Sequence, residues 1–125
     1  MTALSVFNPG PCLSKATRLL FEAFELHDKG YIVASAMTGR VAIETYVRGL
    51  FDVHGLEPRN SKAGRRLHGR IALLREEGIL ERGESHISYR MIELGNQAAH
   101  GYHVAADDVE AALLNLSDVV KGGAV

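Results

Sequence analysis

"YIVASAMTGRVAIETYVRGL", residues 31–50, decides the fold. Its large and small apolar residues do not alternate. Ile32, Ala36, Gly39, Ile43, Tyr46, Val47 and Leu50 recur at the spacing that places them on one face of a long helix. Immediately upstream, Ala16, Leu19, Leu20, Ala23 and Phe24 give a second helical stripe that starts near Ser14 and stops at Lys29 and Gly30. So short a link between two amphipathic helices predicts an antiparallel hairpin.

The remainder reads the same way. Pro9, Gly10 and Pro11 make residues 1–12 an N-terminal arm, and Gly55, Pro58, Asn60 and Ser61 mark a loop over 55–63. Leu67, Ile71 and Leu74 predict a short third helix that ends near Gly78. Ser85 is the expected cap of a fourth, which carries Ile87, Met91, Leu94 and Ala98. Asp107 or Asp108 opens a fifth through Val109, Ala112, Leu113, Leu116 and Val120. No period-two strand and no internal repeat competes, so the expectation is an all-α protein, a single bundle of four to five helices spanning residues 1–125.

Composition sets bounds on function. A chain of 125 residues with 46% hydrophobic residues supports one core without metal or disulfide staples. The single cysteine, Cys12, excludes an intramolecular disulfide, and no leader or membrane-spanning run is visible, which points to a cytoplasmic protein. A formal net charge of -1 argues against a surface coated by nucleic acid or anionic lipid, but leaves local patches open. There is no phosphate-binding glycine loop and no di-iron Glu and His pairing. His100 and His103 lack Cys, Asp or Glu partners at ligand spacing, so neither a metal nor another cofactor is expected.

One segment concentrates polar chemistry. In "LGNQAAHGYH", residues 94–103, Asn96 and His100 are four apart on a helix, and Glu93 and His103 extend the stripe. Gly95, Ala98 and Ala99 leave room for a neighbouring helix. Two readings stay open: a polar packing seam in which Asn96 and His100 satisfy each other or a backbone carbonyl, or general acid–base catalysis by His100 with Asn96 holding its tautomer or a substrate oxygen.

Three stretches, "GRVAIETYVRGL" (39–50), "LHGRIALLREEGIL" (67–80) and "YRMIELGNQAAH" (89–100), resemble the HEPN superfamily of small helical domains, in particular a prokaryotic family of unknown function within it. The resemblance implies a bundle that dimerises with its polar motif at or near the interface. It also implies defence or stress roles and, in some members, metal-independent RNA cleavage by an arginine, a polar residue and a histidine. Asn96 matches the polar position and His100 the histidine, but the arginine position falls on Gly95. Arg90 lies ten residues from His100, about 15 Å along a helix, too far to serve one phosphate from the same helix. Arg48 and His54 have the right interval but belong to the second helix, where the resemblance places no active site.

Two charged features remain. Arg40, Glu44 and Arg48 form an i, i+4, i+8 ladder. The default reading is a surface ion pair; the resemblance gives Arg40 and Glu44 a structural role instead, with Glu44 bracing Arg90 across the bundle. "RNSKAGRRLHGR", residues 59–70, holds five Lys or Arg residues and no acid. It is either a solvated face or a phosphate contact through Lys62, Arg65, Arg66 and Arg70, with Arg90 as a further candidate and Gly64 offering backbone amides. Two functions survive: a homodimeric interaction or nucleic-acid-binding module with a degenerate HEPN motif, its partner RNA or a protein from a neighbouring gene, and a metal-independent ribonuclease that uses His100.

Overall fold

A computed structural model of the chain describes residues 10–123, and every regular element among them is helical. Helix α1 (Pro11–Asp28) begins earlier than its apolar stripe. Pro11 fits the first helical turn, where its missing N–H removes no helical bond, so Pro11 and Cys12 belong to the helix rather than to an arm. Residues 1–9 of that expected arm lie outside the described residues.

Helix α2 (Ile32–His54) follows within three residues, and the two pack along one another as a hairpin. Buried Ser35 donates its hydroxyl to the Ala23 carbonyl at 2.7 Å, tying the helices together. Helix α2 also packs on the remaining long helices, and the buried faces of Ile43, Tyr46, Val47 and Leu50 form the centre of the core.

The loop after α2 ends sooner than expected. Ser61 caps a single turn, α3 (Lys62–Arg65), by accepting the Gly64 amide at 3.0 Å, and extended Arg66 then leads into α4 (Leu67–Glu76). Helix α5 (Arg82–Ala99) is capped by Glu81, not Ser85. Glu81 and Glu84 satisfy each other's backbone amides in a reciprocal capping box, and Ser85 is a buried interior residue whose hydroxyl returns to the Glu81 carbonyl. Helix α6 (Ala106–Gly123) carries Asp107 and Asp108 in its first turn.

The crossing of α2 and α5 is made close by glycines on both helices. A methyl group on Gly95 would overlap Arg40 Cβ and stand 3.0 Å from the Ala36 carbonyl oxygen. One on Gly39 would meet the Met91 thioether at 2.7 Å. The first obstacle includes backbone and the second is a flexible side-chain tip. Gly95→Ala should therefore lower stability by about 1–3 kcal/mol, and Gly39→Ala by less. Thermal melting of the two variants checks the order, and equal midpoints would show that the crossing tolerates separation.

Tyr46 is wholly buried, and its hydroxyl donates to the Val119 carbonyl at 3.4 Å. Burial, and secondarily the charge of Glu84, pushes its phenol up from 10.0 to about 12. The folded state favours the protonated form, so this contribution is complete below about pH 10 and lost as pH rises towards 12. Of the four tyrosines in the chain, one should ionise late in an alkaline absorbance titration, and Tyr46→Phe should remove that phase.

Candidate functional site

Helix α5 ends in a way that defines the site. His100 is its C-cap, and Gly101 takes a left-handed φ of 79°. The Gly101 amide reaches the Ala98 carbonyl at 3.1 Å, and the Tyr102 amide reaches Gln97 at 2.9 Å. This double closure turns the chain sharply, a geometry that glycine adopts without steric cost. His103 therefore leaves the stripe that spacing assigned to it.

Glu93, Asn96 and His100 do share a surface, an open cleft of about 330 Å³. Gln97, Ile92 and the exposed ring of Tyr102 line it as well. His68 of α4 joins them and stacks on Tyr89 of α5, one turn before Glu93, with ring centroids 5.0 Å apart and planes inclined by 16°. Two imidazoles, two carboxamides and two phenol rings thus face one opening, with apolar walls that favour a planar ligand. The His100 amide reaches the Asn96 carbonyl at 3.0 Å, but among the described residues no side-chain hydrogen bond joins Asn96 to His100, so the two side chains do not satisfy each other.

His68, Tyr89 and Tyr102 are the residues that sequence reasoning missed. His68 stands in the quoted α4 segment, but nothing in its spacing reveals that α4 lies beside α5.

Gly95 points away from the cleft, into the α2 crossing. The position that the motif gives to arginine is therefore a packing position here. Arg90 does not replace it. Its guanidinium is held by Glu93 at 2.8 Å, one turn along α5, and lies 3.8 Å from Asp108 at the start of α6.

Glu44 does not brace Arg90 either. It pairs with Arg40 at 3.1 Å on its own helix, because the packed α2–α5 crossing intervenes and Arg90 has nearer acids. Arg40 contributes mainly through its stem, which covers Gly95.

The basic segment divides into two parts. Arg65 and Arg70 line a groove with Arg48, Glu44, Val47 and Leu67, whereas Lys62 and Arg66 are exposed outside it. The backbone phosphate site expected at Gly64 does not form, since Gly64 is buried and its amide is bonded to Ser61. Arg48 does acquire a site, but not with His54, which lines a separate depression beside Gly78.

Among the described residues no group of three or more His, Cys, Asp or Glu is placed to hold a metal ion, and no helix is long and apolar enough to cross a membrane. The chain matches no family model, and comparisons with curated proteins and with solved structures give no relative.

The Arg40–Glu44 pair is half-exposed, so Glu44→Ala should change stability by no more than about 0.5 kcal/mol in a denaturant titration. A larger loss would mean that Glu44 supports more than its neighbour on α2.

Proposed function

We propose that this chain is a single-stranded RNA-binding module built on a HEPN-like helical bundle, with a degenerate catalytic motif and a role in prokaryotic defence or stress. The observation that carries the reading is the cleft over α5, where stacked and exposed rings adjoin the carboxamides of Asn96 and Gln97. Rings accept any base by stacking, and carboxamides read base edges. The groove that holds Arg65 and Arg70 flanks the same short helix, α4, that carries His68 into the cleft, so phosphates and bases have neighbouring places to bind. The family and the biological setting rest on the resemblance of residues 39–50, 67–80 and 89–100.

Binding of a fluorescent 5′-hydroxyl oligoribonucleotide, followed by anisotropy, tests this. Tyr102→Ala removes one exposed ring and should weaken binding by about five- to a hundredfold, the range for loss of one base–aromatic stack. Duplex RNA should compete poorly. Undiminished affinity in Tyr102→Ala would move the RNA away from this cleft.

One observation favours ribonuclease activity as a second reading: His68 and His100 line the same opening. In that chemistry one imidazole takes the proton of a ribose 2′-hydroxyl as its oxygen attacks phosphorus. The other protonates the departing 5′-oxygen, leaving a 2′,3′-cyclic phosphate. Cleavage in EDTA that disappears separately in His68→Ala and His100→Ala supports it. Cleavage indifferent to both identifies a contaminant.

A homodimer belongs to the same proposal. Its support is the groove between antiparallel α1 and α6, where Phe21 and Leu114 are 66% and 53% exposed. Arg18 and Lys121 stand towards one end, Glu25 and Glu110 towards the other, so a second copy related by a two-fold axis across the groove would set unlike charges together. Phe21→Glu should shift sedimentation from dimer to monomer. A wild-type monomer at high concentration would overturn the assignment.

A further inference from the structure

We propose that the groove between α2 and α4 binds a phosphate monoester, with Arg48, Arg65 and Arg70 as its ligands. These three arginines come from α2, α3 and α4 and meet over a space of about 180 Å³, walled by Val47 and Leu67. Glu44 is the one acid that lines it, and that carboxylate is already engaged by Arg40. Arg40, Arg59 and Arg90 each hold a carboxylate; no ion pair among the described residues includes Arg48, Arg65 or Arg70, and what sets these three apart from Arg18, Arg66, Arg75 and Arg82, also without one, is that they line one groove.

Two of the groove arginines, Arg65 and Arg70, are oriented without being neutralised. Arg65 donates to the Asn60 side-chain oxygen at 3.2 Å. Arg70 donates through Nε to the Arg65 carbonyl at 2.9 Å, and its guanidinium lies 5.8 Å from the centre of the Phe51 ring. An amide, a carbonyl and an aromatic face fix direction and leave the positive charge intact. Three like charges brought together beside apolar walls repel one another, and an anion removes that repulsion.

The number and geometry of the donors select the anion. One guanidinium fork satisfies a carboxylate, whereas a tetrahedral phosphate presents oxygens to several forks at once. A monoester carries close to two negative charges at neutral pH, and a backbone diester carries one. Three cations beside an acid that is already paired suit the dianion better. The space takes a phosphate group and leaves an attached nucleoside outside.

The same chemistry is presented by a free phosphate, a small phosphorylated metabolite and the phosphorylated end of an RNA. The last would join this groove to the cleft across α4, and that extension rests on the RNA-binding reading. The phosphate site itself does not.

The first arm of the test compares thermal unfolding in inorganic phosphate with unfolding in chloride at matched ionic strength. A saturable rise in the midpoint is expected, because a ligand that binds only the folded state stabilises it by mass action. Arg48→Gln should abolish the rise, and Arg66→Gln, an exposed arginine outside the groove, should keep it. Since Arg48 is exposed on α2, its loss leaves the core intact. No phosphate-specific rise in the wild type, or an undiminished rise in Arg48→Gln, overturns the site.

The second arm measures binding of one oligoribonucleotide with a 5′-phosphate, a 3′-phosphate or hydroxyls at both ends. A preference of about tenfold for one phosphorylated end, lost in Arg48→Gln, assigns the ligand to RNA termini. A phosphate-dependent midpoint with no end preference supports the site with a small phosphate ester as its ligand. If no RNA binds at all while the midpoint still responds to phosphate, the RNA-binding reading fails and the groove stands.

Discussion

The close approach of α2 and α5 governs the rest of the molecule. At Gly95 the backbone of α5 lies against Ala36 and the stem of Arg40, with no space for even one methyl group between them. That contact fixes the rotation of α5 about its own axis. With Gly95 turned inward, Met91 and Leu94 are buried, and Glu93, Asn96 and His100 face the cleft. A looser crossing would let α5 roll, and the polar side chains would lose their common opening. The packing of the core and the display of the site are thus one constraint seen from two sides of a helix.

The same crossing bears on position 95, where the resemblance of the segment would place an arginine. The arginine expected before the polar residue would project into the crossing, where neither its volume nor its charge can be placed. In this packing, catalytic use of Asn96 and His100 requires positive charge from elsewhere. Arg90 is committed to Glu93 and Asp108, and Arg40 to Glu44. Arg48, Arg65 and Arg70, which pair with no carboxylate among the described residues, line the groove, on a surface separate from the cleft.

Local signals in the sequence were strong where the physics is local. The apolar period of residues 31–50 specified α2, including the burial of Ile43, Tyr46 and Leu50, because a helix buries the same face along its length. The acidic start of α6 was equally legible. Ser85 misled because a serine caps a helix only when it stands at the boundary. The Glu81 and Glu84 pair that sets the boundary uses a longer acid at the cap position. His103 misled because the stripe was extended through Gly101, although glycine at that point is itself a stop signal.

The candidate site was less legible, since its members come from separate helices. Asn96 and His100 are four residues apart and could be paired by period alone. His68 joins them only because α4 runs beside α5, and Arg48 meets Arg65 and Arg70 only because α3 folds back after the loop. No spacing rule connects such residues. A run such as residues 59–70 shows how much charge is present, but not where it gathers: Arg65 and Arg70 line the groove with Arg48, whereas Lys62 and Arg66 stand outside it, although Arg65 is exposed as they are. What separates a solvated basic face from an anion site is whether the guanidinium groups are oriented without being neutralised; Asn60 does this for Arg65, and the Arg65 carbonyl and Phe51 do it for Arg70.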